Sequence, residues 1–295
     1  MNNKERGFLL LTGHLGSPER KPLTVAQFRD LARRVVQMDR PVSSRELTEG
    51  DLLSLGYDLP VAARIVSLLA DVDGLDRYLL KGCRQDCFPV TRVSEEYPLA
   101  VRKRLGLDAP GCLWAKGNLA ILNTQTVALV GSRELQESNR KFAEIAGREV
   151  ARQGYTLVSG NARGADQIAQ NACLEAGGKV ISIVADELHK HPLKENVLYL
   201  SEDSFDLPFS AARALSRNRV IHALGYITLV VQCDLGKGGT WDGTLKNLQK
   251  GWSPVFCFDD GSPAATELTQ YGANRIGFDK LSQLAELHAD TQSLF

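Results

Sequence analysis

Four short segments of the sequence concentrate groups that hold a phosphate. The first is Gly131-Ser132-Arg133, directly after the apolar run Val127-Ala128-Leu129-Val130. Glycine lets a backbone approach a ligand closely, a serine hydroxyl can donate to it, and arginine presents a planar cationic fork. The second is Ser159-Gly160-Asn161-Ala162-Arg163-Gly164-Ala165-Asp166, between a strand pattern and a helix pattern. A helix N-terminus there would offer free amides and a positive dipole end to an anion. The third is Ser216-Arg217-Asn218-Arg219. With Ser216 read as an N-cap, Arg217 and Arg219 stand in a first helical turn, where cations oppose the dipole. No acid occurs between Leu207 and Leu224, and an anion between the arginines would relieve that conflict. The fourth is Gly236-Lys237-Gly238-Gly239-Thr240, a glycine-rich cradle with Lys237 as a mobile cation.

Each segment also has a plain structural reading. Gly131 to Arg133 would serve as a tight turn, Asp166 as a helix cap, and an arginine of the third segment as a bond to a loop carbonyl. Other chemistries fit less well. The Gly-x-x-x-x-Gly-Lys-Ser/Thr spacing of a triphosphate loop is absent, as is Gly-x-Gly-x-x-Gly after the first strand. No Ser/His/Asp order stands out. His189 and His191 share a loop with Pro192, and Cys83 and Cys87 have no second Cys/His pair, so no metal and no cofactor are expected. Trp241, Tyr226 and Trp252 would stack bases if exposed and build core if buried.

The elements that must position these loops change character near residue 90. Before it the patterns are helical. Thr24 caps a helix with apolar spacing through Phe28, Leu31 and Val35, and Thr48 caps another with Glu49 and Asp51 in its first turn. Residues 52–65 read as helix, turn, helix. They are similar to a helix–hairpin–helix whose second glycine position holds Leu59-Pro60, so a packing module is the expected role. Residues 88–123, with Pro89, Pro98 and Pro110, read as a connecting region. From Thr126 onward, short apolar runs at 127–130, 155–158, 180–184, 197–200, 226–231 and 255–258 alternate with helical stretches. Fully apolar strands alternating with helices predict a parallel α/β sheet covered on both faces, with ligands beyond the strands' carboxyl ends. The expected organisation is a helical domain over 1–88 and an extended Rossmann-like domain over 89–295.

Lysine plus arginine and aspartate plus glutamate number 35 each, so the formal net charge is zero. That argues against coating nucleic acid by average charge and leaves a local basic cluster open. The apolar run at 8–11 is too short for a signal peptide or a membrane span, and the six cysteines are spaced as in a reduced cytoplasm.

The ordered set of motifs resembles the DNA-processing protein A family (DprA, also called Smf). It comprises Tyr97-Pro98, Leu113-Trp114-Ala115-Lys116-Gly117-Asn118, residues 127–133, Val158 through Asp166, Ser201-Glu202, Arg217-Asn218-Arg219-Val220-Ile221, and Gly238-Gly239-Thr240. The resemblance covers roughly residues 90–260. It implies an extended Rossmann-like fold, single-stranded DNA binding, a homodimer and a RecA-type recombinase as partner, in DNA processing, recombination or natural transformation. It implies a DNA-contacting surface that includes Ser132, Arg133, Arg163, Arg217, Arg219 and Lys237. Together with the loop residues Gly131, Ser159, Gly160, Gly164, Asn218, Gly238, Gly239 and Thr240, these form the expected phosphate-binding set. Departures from the family pattern are Asn161 after Ser159-Gly160, Gln170 where histidine is common, Gln232 where a strand usually ends in glutamate, and no winged-helix tail before Phe295. They leave room for a changed task such as phage defence or genome maintenance.

The alternative is a nucleotide-binding protein or a nucleoside-monophosphate base hydrolase of the related lonely-guy type. Those enzymes follow a Gly-Gly-x-Gly-Thr loop with a catalytic glutamate on the helix that it opens. Here Thr244 stands at that place, and Asp242 lies elsewhere around the helix. Binding without catalysis is therefore expected.

Overall fold

The computed structural model describes residues 1–38, 46–202 and 204–288. The first five helices are α1 (Asn3–Thr12), α2 (Val25–Val36), α3 (Glu49–Ser54), α4 (Leu59–Ala70) and α5 (Val72–Cys83). Thr24 and Thr48 cap α2 and α3 as predicted, each with a reciprocal side-chain bond from the third helical residue. Leu11, Leu31, Leu52, Ile65 and Leu68 form a small core among these helices. Leu9 and Leu10 of α1 instead join the large core beneath the sheet, so one helix supplies two cores.

The sheet has nine strands in the order β1-β2-β6-β5-β4-β3-β7-β8-β9. Six of them are β3 (Thr126–Val130), β4 (Thr156–Ser159), β5 (Lys179–Val184), β6 (Val197–Glu202), β7 (Ile227–Val230) and β8 (Val255–Phe258), at the predicted runs to within a few residues. They pair in parallel, and β9 (Asn274–Ile276) extends the series. Residues 88–123 are more than a connection. They contain β1 (Phe88–Thr91), α6 (Leu99–Leu105) and β2 (Cys112–Lys116), and β2 pairs antiparallel with both β1 and β6. Pro89 is tolerated because β1 is an edge strand.

Alternation along the strands feeds two faces. Val127 and Leu129 of β3 enter the core under α7 (Glu137–Arg152) and α8 (Ala165–Glu175). Ala128 and Val130 enter the core under α6, α9 (Ala211–Leu224), α10 (Gly238–Lys250) and α11 (Pro263–Gln270). Phe142 of α7 is fully buried and stacks on Phe258 at 4.3 Å between centroids. Truncating such a ring costs about 3–5 kcal/mol, so α7 is held firmly against the sheet. The chain runs outward from β3 through β4, β5 and β6 on one side, and through β7, β8 and β9 on the other. The switch point therefore lies at β3 and β7, where the Ser132 amide donates to the Gln232 carbonyl at 2.9 Å.

Candidate nucleic-acid interface

The loops after β3 and β4 cross above the carboxyl edge of the sheet. Gly164 makes the crossing possible: its φ is 92°, and a β-carbon there would stand 2.4 Å from the Arg133 carbonyl oxygen. Ala165 then donates its amide to the Ser132 carbonyl at 3.2 Å, with Gly131 packed beneath the Ala165 methyl. The Ser132 hydroxyl donates to the Gln232 carbonyl at 3.2 Å, so it is a strut between β3 and β7. Gln232 also accepts the Gln136 amide at 3.0 Å and thereby shapes the loop that carries Arg133.

Helix α9 begins earlier than the sequence suggested. Ser210, not Ser216, is its N-cap and accepts the Arg213 amide at 3.1 Å. The run Ala211 to Leu215 is made of good helix formers, and it carries the helix back by more than a turn. Arg217 and Arg219 are thus mid-helix, and no dipole conflict exists to be relieved. They also diverge, because two residues on a helix are about 200° apart.

Arg217 turns inward and is 8% exposed. Its guanidinium lies flat on Gly160, where an added β-carbon would stand 1.5 Å from Nη1. The nearest carboxylate oxygen is Oδ2 of Asp166, 4.0 Å from Nη2. Asp166 accepts the Gly160 amide at 3.1 Å and the Ala162 amide at 3.2 Å. Its carboxylate therefore already occupies the positive end of α8, which corrects the expectation of an open anion site at that N-terminus. Burial pushes the Asp166 pKa up, opposed by Arg217 and the two amides. Burial likewise lowers the pKa of Arg217, opposed by Asp166. Among the described residues Arg217 makes no hydrogen bond, and its Nε is buried without a partner. A guanidinium has five donors and no acceptor, so a desolvated one left this bare is destabilising until an oxyanion meets it.

The space facing it fits that need. A cavity of about 460 Å³ lies over the ends of β3, β4 and β5, lined by Arg133, Gly160, Arg163, Asp186, Phe209 and Arg217 among others. A second, of about 470 Å³, continues past Arg133 and Arg163 to Gly164 and Arg140. The exposed Arg133 has no hydrogen-bond or ion-pair partner among the described residues. The Arg163 side chain is 77% exposed, with only Glu134 near it at 3.9 Å. Ser159 is fully buried and accepts from Gln170 Nε2 at 2.6 Å, so it supports the loop from below.

The remaining predicted residues are elsewhere. Arg219 donates to Glu202 Oε2 at 2.7 Å, to Oε1 at 3.3 Å and to the Asp108 carbonyl at 2.9 Å. It is a structural arginine that ties α9 to β6. Asn218 donates to the Gly239 carbonyl at 3.0 Å and so anchors the turn into α10. Lys237, Gly238, Gly239 and Thr240 form that turn beside β7 and line neither cavity. Arg219→Ala is expected to lower stability by about 2 kcal/mol, because the buried Glu202 carboxylate loses its ion pair with this guanidinium. That is below the roughly 3–5 kcal/mol of a fully buried pair because the Arg219 side chain is 24% exposed. A urea melt measures it, and the salt dependence of any nucleic-acid binding should not change.

Sequence reasoning missed Phe209. Trp241 and Trp252 are 6% and 7% exposed and belong to the core, whereas Phe209 is 55% exposed at the rim of the Arg217 cavity. The available signal was an aromatic residue after Leu207-Pro208, in a loop with no apolar period to bury it. Asp186 and Arg140, also missed, gave no such signal. His189 and His191 diverge, to the Phe205 carbonyl and to Asp186 Oδ1 respectively.

A model of the DNA recombination-mediator protein A family matches residues 89–281. The chain belongs to this family. Among curated members, Protein Smf of Escherichia coli K12 is 32% identical over 142 residues, 44% of this chain and 38% of that protein. The DNA processing protein DprA of Bacillus subtilis 168 is 27% identical over 199 residues, 62% of this chain and 66% of that one. The chain thus matches less than two thirds of the length of either relative. The DprA crystal structure from Streptococcus pneumoniae superposes with a TM-score of 0.70 at 24% identity, covering 96% of this chain and 99% of that one. The Helicobacter pylori DNA processing protein A, solved for its single-stranded DNA binding mode, gives 0.57 at 24% identity and covers 70% of this chain and 96% of that one. The fold is therefore that of the DprA proteins. Within that fold the departures are local. Asn161 takes a left-handed φ of 58°, which asparagine tolerates, and Gln170 bonds Ser159.

Proposed function

We propose that this chain binds single-stranded DNA along the groove above the ends of β3, β4 and β5, as a DprA-type protein of DNA processing. The observation that carries this reading is Arg217, a buried guanidinium without a hydrogen-bond partner that faces a cavity beside exposed Arg133 and Arg163. A phosphate diester satisfies those donors without being buried whole. Phe209 at the rim adds a flat apolar surface for one base. A duplex keeps its bases stacked inside and cannot use that surface, so the site favours single strands. The H. pylori relative, described for single-stranded DNA binding, supports the same reading.

Hydrolysis of a nucleotide is less well supported. Thr244, at the place of the hydrolases' glutamate, is a fully buried residue of α10, and exposed Asp242 lines neither cavity. The proposal extends to a homodimer that delivers strands to a RecA-type recombinase, as the family resemblance implies. A cytoplasmic setting fits six free thiols, and among the described residues no helix is long and apolar enough to cross a membrane.

Phe209→Ala is expected to weaken single-strand binding by about 1–3 kcal/mol for every base composition and to leave an abasic strand of equal length unaffected. Fluorescence anisotropy with single-stranded, duplex and abasic oligonucleotides at one salt concentration makes the test. Duplex bound as tightly as single strand, with Phe209→Ala neutral, would refute the assignment.

A further inference from the structure

The segment that follows β6 joins two parts of the molecule. At one end, residues 204–206 are held by α5, one of the N-terminal helices. Phe205 is fully buried between Tyr78 of α5 and Trp114 of β2, with ring centroids 4.9 and 4.7 Å away. Gly82 lets α5 come this close: a β-carbon there would stand 2.9 Å from the Trp114 ring and 3.3 Å from that of Phe205. Next in the chain, the Asp206 carboxylate gathers three groups. The Tyr78 hydroxyl donates to Oδ1 at 3.0 Å, the Ser204 hydroxyl donates to the same oxygen, and Lys81 Nζ donates to Oδ2 at 2.6 Å. Burial pushes the Asp206 pKa up, but the bonds from Lys81, Ser204 and Tyr78 outweigh it and hold the carboxyl below its ordinary value.

At its other end the same segment builds the groove. Leu207, Pro208 and Phe209 are exposed, Phe209 stands at the rim of the Arg217 cavity, and Ser210 caps α9, the helix that carries Arg217. The carbonyls of Leu207 and Pro208 accept from Nη1 of Arg213 at 2.8 and 2.9 Å, so α9 grips the segment from its far side. Three residues lead from Asp206 to Phe209, a reach of at most about 11 Å. Pro208 fixes its own φ and biases Leu207 toward an extended backbone, which makes the link stiff. Phe209 has little packing of its own to hold it. A shift at Asp206 is therefore passed on to that ring.

We propose that Asp206 is a positioning residue for strand binding: clamped by Tyr78 and Lys81, it lets the N-terminal helices set where Phe209 stands over the Arg217 cavity. The inference rests on the single-strand reading above. It adds that residues of α5, which line neither arginine cavity, govern affinity through Phe209. The sign of the effect separates this role from electrostatics. Removing a negative charge from a protein that binds phosphates raises affinity through the field alone, whereas a displaced ring lowers it.

The test measures the full chain by fluorescence anisotropy at one salt concentration, with a mixed-base single strand, an abasic strand and a duplex of equal length. Asp206→Ala is expected to bind the mixed-base strand about tenfold more weakly than the wild type, and to bind the abasic strand as the wild type does. Tyr78→Phe, which keeps the buried ring and removes one bond to the carboxylate, should lose about threefold on the mixed-base strand alone. Asp206→Ala combined with Phe209→Ala should bind no more weakly than Phe209→Ala, because a misplaced ring and an absent one contribute alike. An Asp206→Ala variant that binds the mixed-base strand as tightly as the wild type, or more tightly, overturns the proposal. So does a loss that the abasic strand shares, or a double variant in which the two losses multiply. If circular dichroism shows Asp206→Ala to be unfolded, Tyr78→Phe decides, and wild-type affinity in that variant overturns the proposal. A wild type that binds no strand, or that binds duplex as tightly as single strand with Phe209→Ala neutral, overturns the single-strand reading itself.

Discussion

Gly160→Ala is expected to remove most of the single-strand affinity without changing one charge. The added methyl would stand 1.5 Å from Arg217 Nη1 and 1.9 Å from Cζ, which no packing tolerates. The obstructed group is the far end of a flexible side chain, so the guanidinium moves and the backbone does not. Arg217 then leaves the position from which it meets a phosphate beside Arg133. A hydrogen bond to a charged group contributes about 2 kcal/mol, so the loss is roughly 30-fold. The slope of log affinity against log salt should also fall by about 0.7, as one phosphate contact is given up. The circular dichroism melt should fall as well, because the displaced guanidinium draws away from Asp166, but by less than in a variant without Arg217. A folded variant with unchanged affinity and slope would show that Arg217 does not contact the strand.

Removing Arg217 itself has a different and larger consequence for stability. Arg217→Met leaves Asp166 as a buried carboxylate with two backbone amides and only the more distant charge of Arg133 to oppose it. Breaking a buried pair on one side costs about 3 kcal/mol at neutral pH. Burial already holds the Asp166 pKa above its unfolded value, and Arg217 is the main influence in the other direction. Its loss moves the folded pKa higher still. A carboxyl with a raised folded pKa favours the native state fully below the unfolded value and loses that contribution as pH rises through the folded value. The variant should therefore regain stability, relative to wild type, as pH falls from 7 toward about 4. Asp166→Asn in the same chain should restore stability at pH 7, because an amide oxygen still accepts from Gly160 and Ala162. Strand binding should stay lost. Urea melts at several pH values, with anisotropy on the double variant, separate the two roles. Recovery of binding in the double variant would refute a phosphate contact by Arg217.

Much of the fold was legible in the sequence. Val127 to Val130, Ile181 to Val184 and Val255 to Phe258 are too apolar for strands with a wet face, and their alternation with helices left a parallel sheet as the consistent solution. The same pattern located the loops after β3 and β4, and motif order pointed to the family. Strands β1 and β2 escaped because prolines surround them and because their pairing is antiparallel across long intervals. Their stability comes from β6, a partner no local pattern names.

The site divides along the same line. By itself the sequence determined which residue types surround the strand ends: glycines that admit close approach and arginines that answer a phosphate. Only the tertiary structure decided which arginine faces the groove. Arg217 and Arg219 look equivalent in the chain, yet one lies on Gly160 and the other is spent on Glu202. Asp166 filled the helix end that seemed open, and Phe209 took the exposed aromatic place that the tryptophans lack. The physical reason is that local patterns fix the period of an element, while direction depends on where the helix starts and what packs against it. For α9 the start lies six residues before the one the sequence suggested, at Ser210 rather than Ser216.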